Sequence, residues 1–379
     1  MSANINRSYR KVCLEHVGDL AFGLQTPIFC LYFVPKILII LWHNSGFQVS
    51  SKQKIVSFRL KAQFPNILLF FFCLLFFFSC KKETIEVIWE ELASGTSDNL
   101  SAVHFTDENS GHIIGGKTWY NGIYLQTKDG GATWAVDNFA DKQLFGLYFN
   151  ANNIGYTVGI DGYLFSSSDD SHEQWIRQSI PRPDILRDVC FNNRNEGVLV
   201  GGVAFAQGVI MVVDTNYATL HVDTFLNQLN AVCYSDDNTI HVAGYGIIFR
   251  SVDGGTTWIE NEVSGDFFQS ISFPSPTTGY IVGYNGTILK TTDKGITWKN
   301  LRRGDAIGIP DKPFTAVHFA DELYGYIVGE KGLCWRTIDG GEHWQIVKGL
   351  PGFDFSDVYM INDKVYIVGE SGGILRFRD

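Results

Sequence analysis

From about residue 98 onward, apolar and polar residues alternate in short runs, a pattern typical of half-buried β-strands. Many of these runs end in Ser/Thr-x-Asp-x-Gly-x-x-Trp and are followed by another extended segment, as after residues 286–290. The motif therefore predicts the turn of a β-hairpin. Two further strand-like segments lie upstream of each motif, seen best at 314–319 and 325–329, so each repeat is expected to hold four strands.

The turn motif has a structural explanation at each position. The Asp carboxylate can accept backbone N–H bonds within the turn, the Ser/Thr hydroxyl adds another, and Gly allows a positive φ. The Trp is expected to bury its apolar face between neighbouring sheets. The Asp and Trp positions are Asp129 and Trp134, Asp253 and Trp258, Asp293 and Trp298, Asp339 and Trp344, and a weaker copy at Asp169 and Trp175.

The repeat recurs at a spacing of roughly forty residues, which with four strands per repeat indicates a β-propeller. Equivalent first-strand positions are Leu100, Leu144, Leu186, Leu229, Phe268, Phe314 and Phe355. The third copy has lost its turn motif and keeps only Asp214, and the seventh stops after three strands. Residues 87–92 resemble the missing strand. We therefore predict an all-β, seven-bladed propeller of four-stranded antiparallel blades over 87–379, closed by an N-terminal strand that joins the last blade.

Ser/Thr-x-Asp-x-Gly-x-x-Trp is the Asp-box, or BNR repeat, found in sialidases, sortilin-type receptors, some glucanases and photosystem II assembly factor-like proteins. The string from Gly279 to Trp298, repeated with a similar layout from Gly325 to Trp344, most resembles the last group. This resemblance implies a non-catalytic assembly module that binds a membrane-protein partner. One propeller fold hosts many activities, so the identity of the partner is left open.

The residues before the repeats include an apolar stretch at 67–78, which is shorter than the roughly twenty residues that span a bilayer. Basic residues precede it and Ser79-Cys80 follows it, as in a secretory signal. Ser79-Cys80 resembles a bacterial lipobox, although Phe77 departs from the usual Leu or Val. We expect a signal peptide over 60–80, lipid attachment at Cys80 and a short tether over 81–86. An ordinary signal peptide with an incidental Cys is the alternative.

The expected product is an exported protein, lipid-anchored at the bacterial cell envelope. Residues 1–59 are unusual in front of such a signal. The hypothesis is an over-extended reading frame with initiation near Leu60, and a disordered extension is the alternative.

Charge and cysteine content narrow the function classes. Residues 1–80 hold eight Lys/Arg and two Asp/Glu; subtracting these from 30 and 40 leaves 22 and 38, a net charge of about −16. This balance argues against nucleic-acid binding, which depends on neutralising phosphates. Beyond Cys80 only Cys190, Cys233 and Cys334 remain, without metal-ligand spacing, and buried free thiols are favoured over a disulfide.

No motif for catalysis stands out. The chain lacks the Arg-Ile-Pro signature of sialidases and has no His-Glu-x-x-His motif. Acidic residues are too numerous for a carboxylate pair to indicate a glycosidase. His104 and His318 share an inner-strand position, but packing between blades is favoured over a metal site, and the Asp-box aspartates are favoured as turn residues over calcium ligands. We expect no catalytic residue, metal or cofactor.

Alternating strand direction puts the Asp-box turns on one face of the disc, and the second-to-third-strand turns with the blade connections on the other. Insertions concentrate on the second face, in the turns at 116–122 and 202–208. We predict partner binding there, because Trp, Tyr and Arg dominate interaction hot spots. The residues are Trp119, Tyr120, Arg182, Arg187, Arg302 and Arg303.

Two alternatives remain open at this point. The arginines could instead pair locally with Asp184, Asp188, Asp305 and Asp311. The other alternative is a glycan-binding or glycoside-hydrolysing propeller, with Trp119 and Tyr120 as a platform for a sugar.

N-terminal mapping by mass spectrometry should find diacylated Cys80 as the first residue of the mature protein. Recovery of any peptide from residues 1–50 would exclude the over-extended reading frame, and an unmodified Cys80 would exclude the lipid anchor.

Overall fold

The computed structural model describes residues 84–168, 171–180, 182–261, 263, 265–304 and 312–379. They form seven four-stranded blades arranged in a ring, as the repeats predict, and one blade has an added fifth strand. Cys80, Asp169, Asp305 and Asp311 lie outside the described residues, as do the expected extension and signal peptide.

Two short strands lead the described chain, β1 (Thr84–Glu86) and β2 (Trp89–Glu91). Blade one contains β3 to β6, at Asn99–Phe105, Gly111–Lys117, Asn121–Thr127 and Ala135–Ala140. Blade two contains β7 to β10, at Leu144–Phe149, Gly155–Gly159, Leu164–Ser167 and Trp175–Arg177. Blade three contains β11 to β14, at Leu186–Phe191, Gly197–Val203, Gln207–Val213 and Thr219–Phe225.

Blade four contains β15 to β18, at Leu229–Tyr234, Ile240–Gly244, Ile247–Ser251 and Ile259–Glu260. Blade five contains β19 to β22, at Phe268–Ser272, Gly279–Gly283, Ile288–Thr291 and Lys299–Arg302. Blade six contains β23 to β26, at Phe314–Phe319, Gly325–Gly329, Leu333–Thr337 and Gln345–Lys348. Blade seven contains β27 to β29, at Phe355–Ile361, Lys364–Gly369 and Ile374–Arg378. Single 3-10 turns occur at Ile160–Gly162 and Glu370–Gly372.

Closure follows the predicted route, with one addition. The fourth strand of blade seven is β2, which pairs antiparallel with β29 so that Trp89 lies opposite Phe377. In addition, β1 pairs in parallel with β26 and becomes a fifth strand of blade six. This strand begins inside the segment 81–86 that the sequence suggests is a tether. The front of the chain therefore joins two adjacent blades and covers both outer edges.

The core lies in layers between blades. The second strands are buried along their whole length in blades two, four, five and six, because both sheet faces pack on neighbours. Trp134 shows the predicted role of the motif Trp, since it packs on a cluster that includes Tyr366 and Val368 of blade seven. No blade can bury both faces alone, so each one depends on the next.

The Asp-box turns are held by their own side chains. In blade one, the Thr127 hydroxyl donates to Asp129 Oδ1 at 2.8 Å and accepts from the Gly131 N–H at 2.9 Å. Asp129 also accepts from the backbone N–H and the hydroxyl of Thr133, at 2.9 and 2.7 Å. These bonds, those from Thr133 first, lower the pKa of Asp129 to about 2. Gly131 supplies the positive φ, 88°.

The same turn recurs at Asp253, Asp293 and Asp339. The hydroxyl or imidazole one residue before each Trp binds the second carboxylate oxygen, a contact that the motif itself does not predict; these residues are Thr133, Thr257, Thr297 and His343. Each carboxylate is thus occupied by protein donors. Blade three has a simpler turn, in which Asp214 accepts from the N–H groups of Asn216 and Ala218.

The histidines and cysteines of the inner strands are packing residues. His104 stacks on Phe149 and Tyr359, with ring centroids 4.9 and 4.6 Å apart, and His318 lies 4.5 Å from Tyr359. Cys190, Cys233 and Cys334 are free thiols, as predicted, although Cys233 is only half-buried. Within the described part of the chain, no three His, Cys, Asp or Glu side chains are placed to hold a metal ion. No helix there is long and apolar enough to cross a bilayer.

Replacing Asp293 by Ala should lower the free energy of unfolding by about 1–2 kcal/mol, because the Thr291 and Thr297 hydroxyls and the Thr297 N–H lose their acceptor. Thr292→Ala, at an exposed position of the same turn, is the matched control. Denaturant unfolding measures both variants. A chelator should not change the wild-type value, and a large loss on chelation would instead indicate calcium at the turns.

Candidate functional site

Backbone hydrogen bonds define the two faces of the disc. On one face, the turn between the second and third strands of a blade binds the connection to the next blade, as from Gly162 N to Asp184 O at 2.7 Å and from Gly332 N to Phe353 O at 2.9 Å. On the other, the Asp-box turn binds the first-to-second-strand turn of its own blade, as from Gly130 N to Asn109 O. We call these the connection face and the Asp-box face. The two kinds of turn lie on opposite faces, as the alternating strand direction predicts.

The six predicted partner-binding residues all belong to elements of the connection face, but they do not form one patch. Trp119 and Tyr120 lie in the β4–β5 turn of blade one, where they are 59% and 82% exposed. Arg182 and Arg187 lie at the junction of blades two and three, and Arg302 and Arg303 at the junction of blades five and six. Three blades separate the two arginine pairs. The four arginines therefore cannot act as a single cluster.

Three of the arginines have defined local contacts. Arg182 forms an ion pair with Asp184, with Nε 2.6 Å from Oδ2, as the local-pairing alternative predicts. The Arg302 guanidinium donates to the Gly286 carbonyl and lies 5.9 Å from the ring centroids of Phe314 and Trp335. Arg302 thus helps to join blades five and six, whereas Arg182 pairs within its own blade connection.

Arg187 differs from both. Its guanidinium lies over the Phe145 ring, 4.5 Å from the centroid, and its buried Nε has no hydrogen-bond partner among the described residues. It does not pair with Asp188, whose carboxylate accepts from the N–H groups of Val189 and Val232. Burial lowers the pKa of Arg187, and the nearby Tyr245 partly offsets this. Arg187 therefore places a positive charge at this junction that has no carboxylate partner among the described residues.

Arg187 also lines the central channel. The channel holds a cavity of about 160 Å³ formed by first-strand residues of all seven blades, including Phe145, Asp188 and Asp357. The two carboxylates join blades: Asp188 accepts from Val232 N of blade four, and Asp357 from Val103 N of blade one, both at 2.9 Å. Hydrogen bonds within the channel thus join neighbouring blades, and the Arg187 guanidinium lies beside them.

An aromatic surface beside Arg187 was not predicted from the sequence. Phe205, Tyr245 and Phe267 come from three different connection-face elements, and their ring centroids lie 4.8 to 5.7 Å apart. The Tyr284 N–H donates to the Phe267 carbonyl and extends the row toward blade six. We call Phe205, Tyr245, Phe267 and Tyr284 the aromatic strip. The strip spans blades three to five, and the rings of Phe205, Tyr245 and Phe267 are in mutual contact.

Two local features place the strip. Asp266 is buried and accepts from the N–H groups of Phe267, Asn285 and Thr287, which holds the blade connection against the next turn. Phe205 lies at the tip of the blade-three insertion with φ at 55°, a conformation that a bulky aromatic residue rarely adopts. It is 71% exposed. The inserted turn was a sequence signal for Phe205, whereas the distant Tyr245 and Phe267 gave none.

Part of the chain is similar in sequence to known proteins. A family model described as "Photosynthesis system II assembly factor YCF48" matches residues 259–352. A relative named "Photosystem II assembly protein Ycf48", from Synechococcus sp. (strain JA-3-3Ab), is 38% identical over 65 residues, which are 16% of this chain and 20% of that protein. The match thus spans about a fifth of the relative's length.

Solved structures match over far more of the chain. One described as "YCF48 bound to D1 peptide" has 17% sequence identity and a TM-score of 0.60, covering 79% of this chain and 98% of that one. "Structure of U3-55K" reaches a TM-score of 0.64 at 7% identity, covering 77% and 98%. At these identities the likeness establishes the propeller fold alone.

The pH dependence of stability should report the two channel carboxylates. Burial raises the pKa of both Asp188 and Asp357 from 3.8 to about 7. A raised folded-state pKa means that the folded protein binds the proton more tightly than the unfolded chain does. The stability gained from this tighter proton binding is fully present below about pH 4 and is lost as the pH rises to about 7. Between pH 4 and 7.5, the free energy of unfolding of Asp357→Asn should therefore rise by a few kcal/mol relative to that of wild type.

Urea unfolding across that pH range measures the difference. Ser270→Ala is the control, because the Ser270 hydroxyl accepts from Val317 N at 3.2 Å in the same kind of contact without titrating. Its offset from wild type should not vary with pH. Parallel profiles for Asp357→Asn and wild type would contradict the assignment.

Proposed function

We propose that this chain, a photosystem II assembly factor-like β-propeller, binds a protein partner through its connection face and catalyses no reaction. The aromatic strip beside Arg187 is the observation that carries this proposal. It combines aromatic rings in mutual contact with a guanidinium that lies over the Phe145 ring and has no carboxylate partner among the described residues. Aromatic and Arg side chains at a partly desolvated surface are the usual centre of a protein-protein hot spot.

Backbone strain supports the same assignment. An aromatic residue at positive φ costs free energy that Gly or Asn would avoid, and such strain concentrates at functional sites. Phe205 retains this conformation while its ring is largely exposed, so its packing inside the protein explains little of the cost. A contact with a partner gives the exposed ring a role.

The relatives add a second line of support. The solved structure titled "YCF48 bound to D1 peptide" pairs a propeller of this fold with a peptide ligand. We extend to this chain only the general role, a scaffold or assembly module that holds a polypeptide. The ligand expected here is an apolar segment with an acceptor oxygen, which the aromatic strip and Arg187 would bind together.

We further propose that the propeller is exported and lipid-anchored through Cys80, and that its partner is a membrane or envelope protein. The charge and signal pattern of the sequence supports this location. An anchor at Cys80 would precede β1 by only a few residues, so the propeller would remain close to the membrane surface.

A pull-down of the full-length protein from detergent, with mass spectrometry of cross-linked partners, tests the site. Phe205→Asn should relieve the positive-φ strain, so the melting temperature should stay equal or rise while partner recovery falls about tenfold. Arg187→Gln should also reduce recovery. Leu220→Ala, at an exposed position of the outer strand of blade three, is the control and should have no effect.

Other outcomes would redirect the assignment. Equal recovery with Phe205→Asn and Arg187→Gln would exclude the aromatic strip, and loss only in the Arg302→Ala, Arg303→Ala double variant would favour the junction of blades five and six. Glycan-array binding or glycosidase turnover abolished by Trp119→Ala would support the glycan-directed alternative instead.

A further inference from the structure

Blade three ends in an outer strand, β14, that no other described strand covers. β14 pairs with β13 alone, and residues 219–226 make no further backbone hydrogen bond to the described chain. In an antiparallel strand, every second residue turns its N–H and C=O away from the inner neighbour. The outer edge of β14 therefore presents a row of unpaired donors and acceptors at the rim of the ring, where a second chain can reach them.

β14 is also the outer strand that is least protected against pairing with another strand. It holds seven residues, whereas the outer strands of the other blades hold two to six. It contains no Lys, Arg or Pro, which commonly protect an edge, whereas β10 contains Arg177 and β22 contains Lys299 and Arg302. Leu220 within the strand and Leu226 directly after it are exposed. The edge is thus long and partly apolar.

The ring itself shows that a blade can take an extra strand at its outer edge. β1 adds to β26, the outer strand of blade six, with Ile85 opposite Val347. β14 is the corresponding outer strand of blade three. A fifth strand therefore fits beside the outer strand of a blade while the ring stays closed.

The order of side chains in β14 is complementary to itself. Val222 is the central residue of the strand, with His221 before it and Asp223 after it. When two copies of β14 pair antiparallel about a two-fold axis at Val222, the whole strand overlaps, and the His221 of each copy lies opposite the Asp223 of the other. Opposite residues of unlike charge stabilise a strand pair. The same register thus gives full overlap and charge complementarity.

His221 and Asp223 both remain accessible for this contact. Within one chain, His221 Nε2 lies 2.9 Å from Asp223 Oδ2, and the two side chains are 46% and 31% exposed. This contact uses one ring nitrogen and one carboxylate oxygen, so each side chain keeps a second polar atom. The pair can therefore extend into a group of four side chains in which charges of opposite sign alternate.

The next longest outer strand, β6, does not have this property. In antiparallel pairing about a two-fold axis, opposite side chains point to the same face, so a residue must lie at the axis. An axis at Asp137 would place two carboxylates opposite each other, and an axis at Asn138 would place each carboxylate opposite Phe139. Neither register matches the complementarity of β14.

We propose that this protein forms a two-fold homodimer in which β14 pairs antiparallel with β14 of a second copy. Backbone hydrogen bonds join the two copies of blade three into one continuous sheet, and the contacts between His221 and Asp223 fix the register. No residue of the aromatic strip belongs to β14. Dimer formation is therefore separate from partner binding at the connection face, and recovery of that partner does not depend on it.

Cross-linking of the full-length protein in detergent tests the axis. Thiols introduced by Val222→Cys lie directly opposite each other, about 5 Å apart, and a short thiol-to-thiol linker should join the two copies. Thr224→Cys, on the same face of the same strand, is the matched control. Its two thiols lie roughly 14 Å apart and should remain unlinked. Wild type gives the background from the native cysteines.

Sedimentation equilibrium tests the register by charge complementation. His221→Glu places a carboxylate opposite Asp223, and Asp223→Lys places an ammonium opposite His221, so each variant alone should dimerise about tenfold more weakly than wild type. A mixture of the two variants pairs the new carboxylate with the new ammonium. Its dissociation constant should return to within about threefold of the wild-type value. A role of these side chains only within one chain would give no recovery in the mixture.

Several results would overturn the proposal. A wild type that stays monomeric at every concentration would do so, and so would equal cross-linking at positions 222 and 224. Failure of the mixture to associate would exclude this register. A cross-link from Val222→Cys to a different protein, in place of a second copy, would reject the homodimer. Phe205→Asn should leave the dimer intact, so a failure of the partner-binding proposal would be seen separately.

Discussion

The ring depends on the contact between neighbouring blades. A four-stranded blade with two apolar faces cannot bury either of them alone, so its stability comes from the layers on both sides. The motif Trp residues fill these layers, as Trp134 does against blade seven. Hydrogen bonds complete the contact at several depths, from the Asp188 carboxylate in the channel to the Lys290 ammonium on the Asp-box face. A gap anywhere in the ring would expose two apolar faces.

Closure of the ring therefore requires additional strands, and the N-terminal side of the described chain supplies them. By supplying β1 to blade six and β2 to blade seven, the leading segment covers two edges at once. The same solution removes the hairpin turn from blade seven. Without that turn, the Arg336 guanidinium of blade six binds the Asp379 carboxylate at the end of β29. The way in which the ring closes thus changes the side-chain contacts between these two blades.

The two faces of the disc have different constraints. The Asp-box turns are short and internally bonded, and four of them contain the same hydrogen bond from a Ser or Thr hydroxyl to the Asp carboxylate. The connection-face turns vary in length, from the tight turn at Gly283–Gly286 to the insertion that carries Phe205. At the tight turn, Asp266 accepts from the Asn285 and Thr287 N–H groups and so fixes the blade connection. The surface with freedom to vary is the one that carries the aromatic strip and Arg187.

The repeat alone determined the fold. Period-two strands, the turn chemistry at Asp129 and its equivalents, and the spacing of the first strands were sufficient for seven blades and for closure by residues 87–92, because each of these features acts through local sequence. The exposed Trp119 and Tyr120 and the ion pair of Arg182 with Asp184 were also within reach of the sequence. A fifth strand in blade six was not, since it depends on an edge that only the assembled ring presents.

The candidate sites required the tertiary structure for the same reason. Phe205, Tyr245 and Phe267 are separated in sequence and become neighbours because three blade connections converge on one face. Arg302 and Arg187 look alike in sequence, yet one guanidinium binds a carbonyl and the other lies over the Phe145 ring. Tyr326 occupies the same repeat position as Tyr280, yet the Tyr280 hydroxyl donates to the Gly340 carbonyl whereas Tyr326 lies beside the Asp379 carboxylate. Local sequence specified the blades, whereas the contacts between blades decided which side chains remain available for a partner.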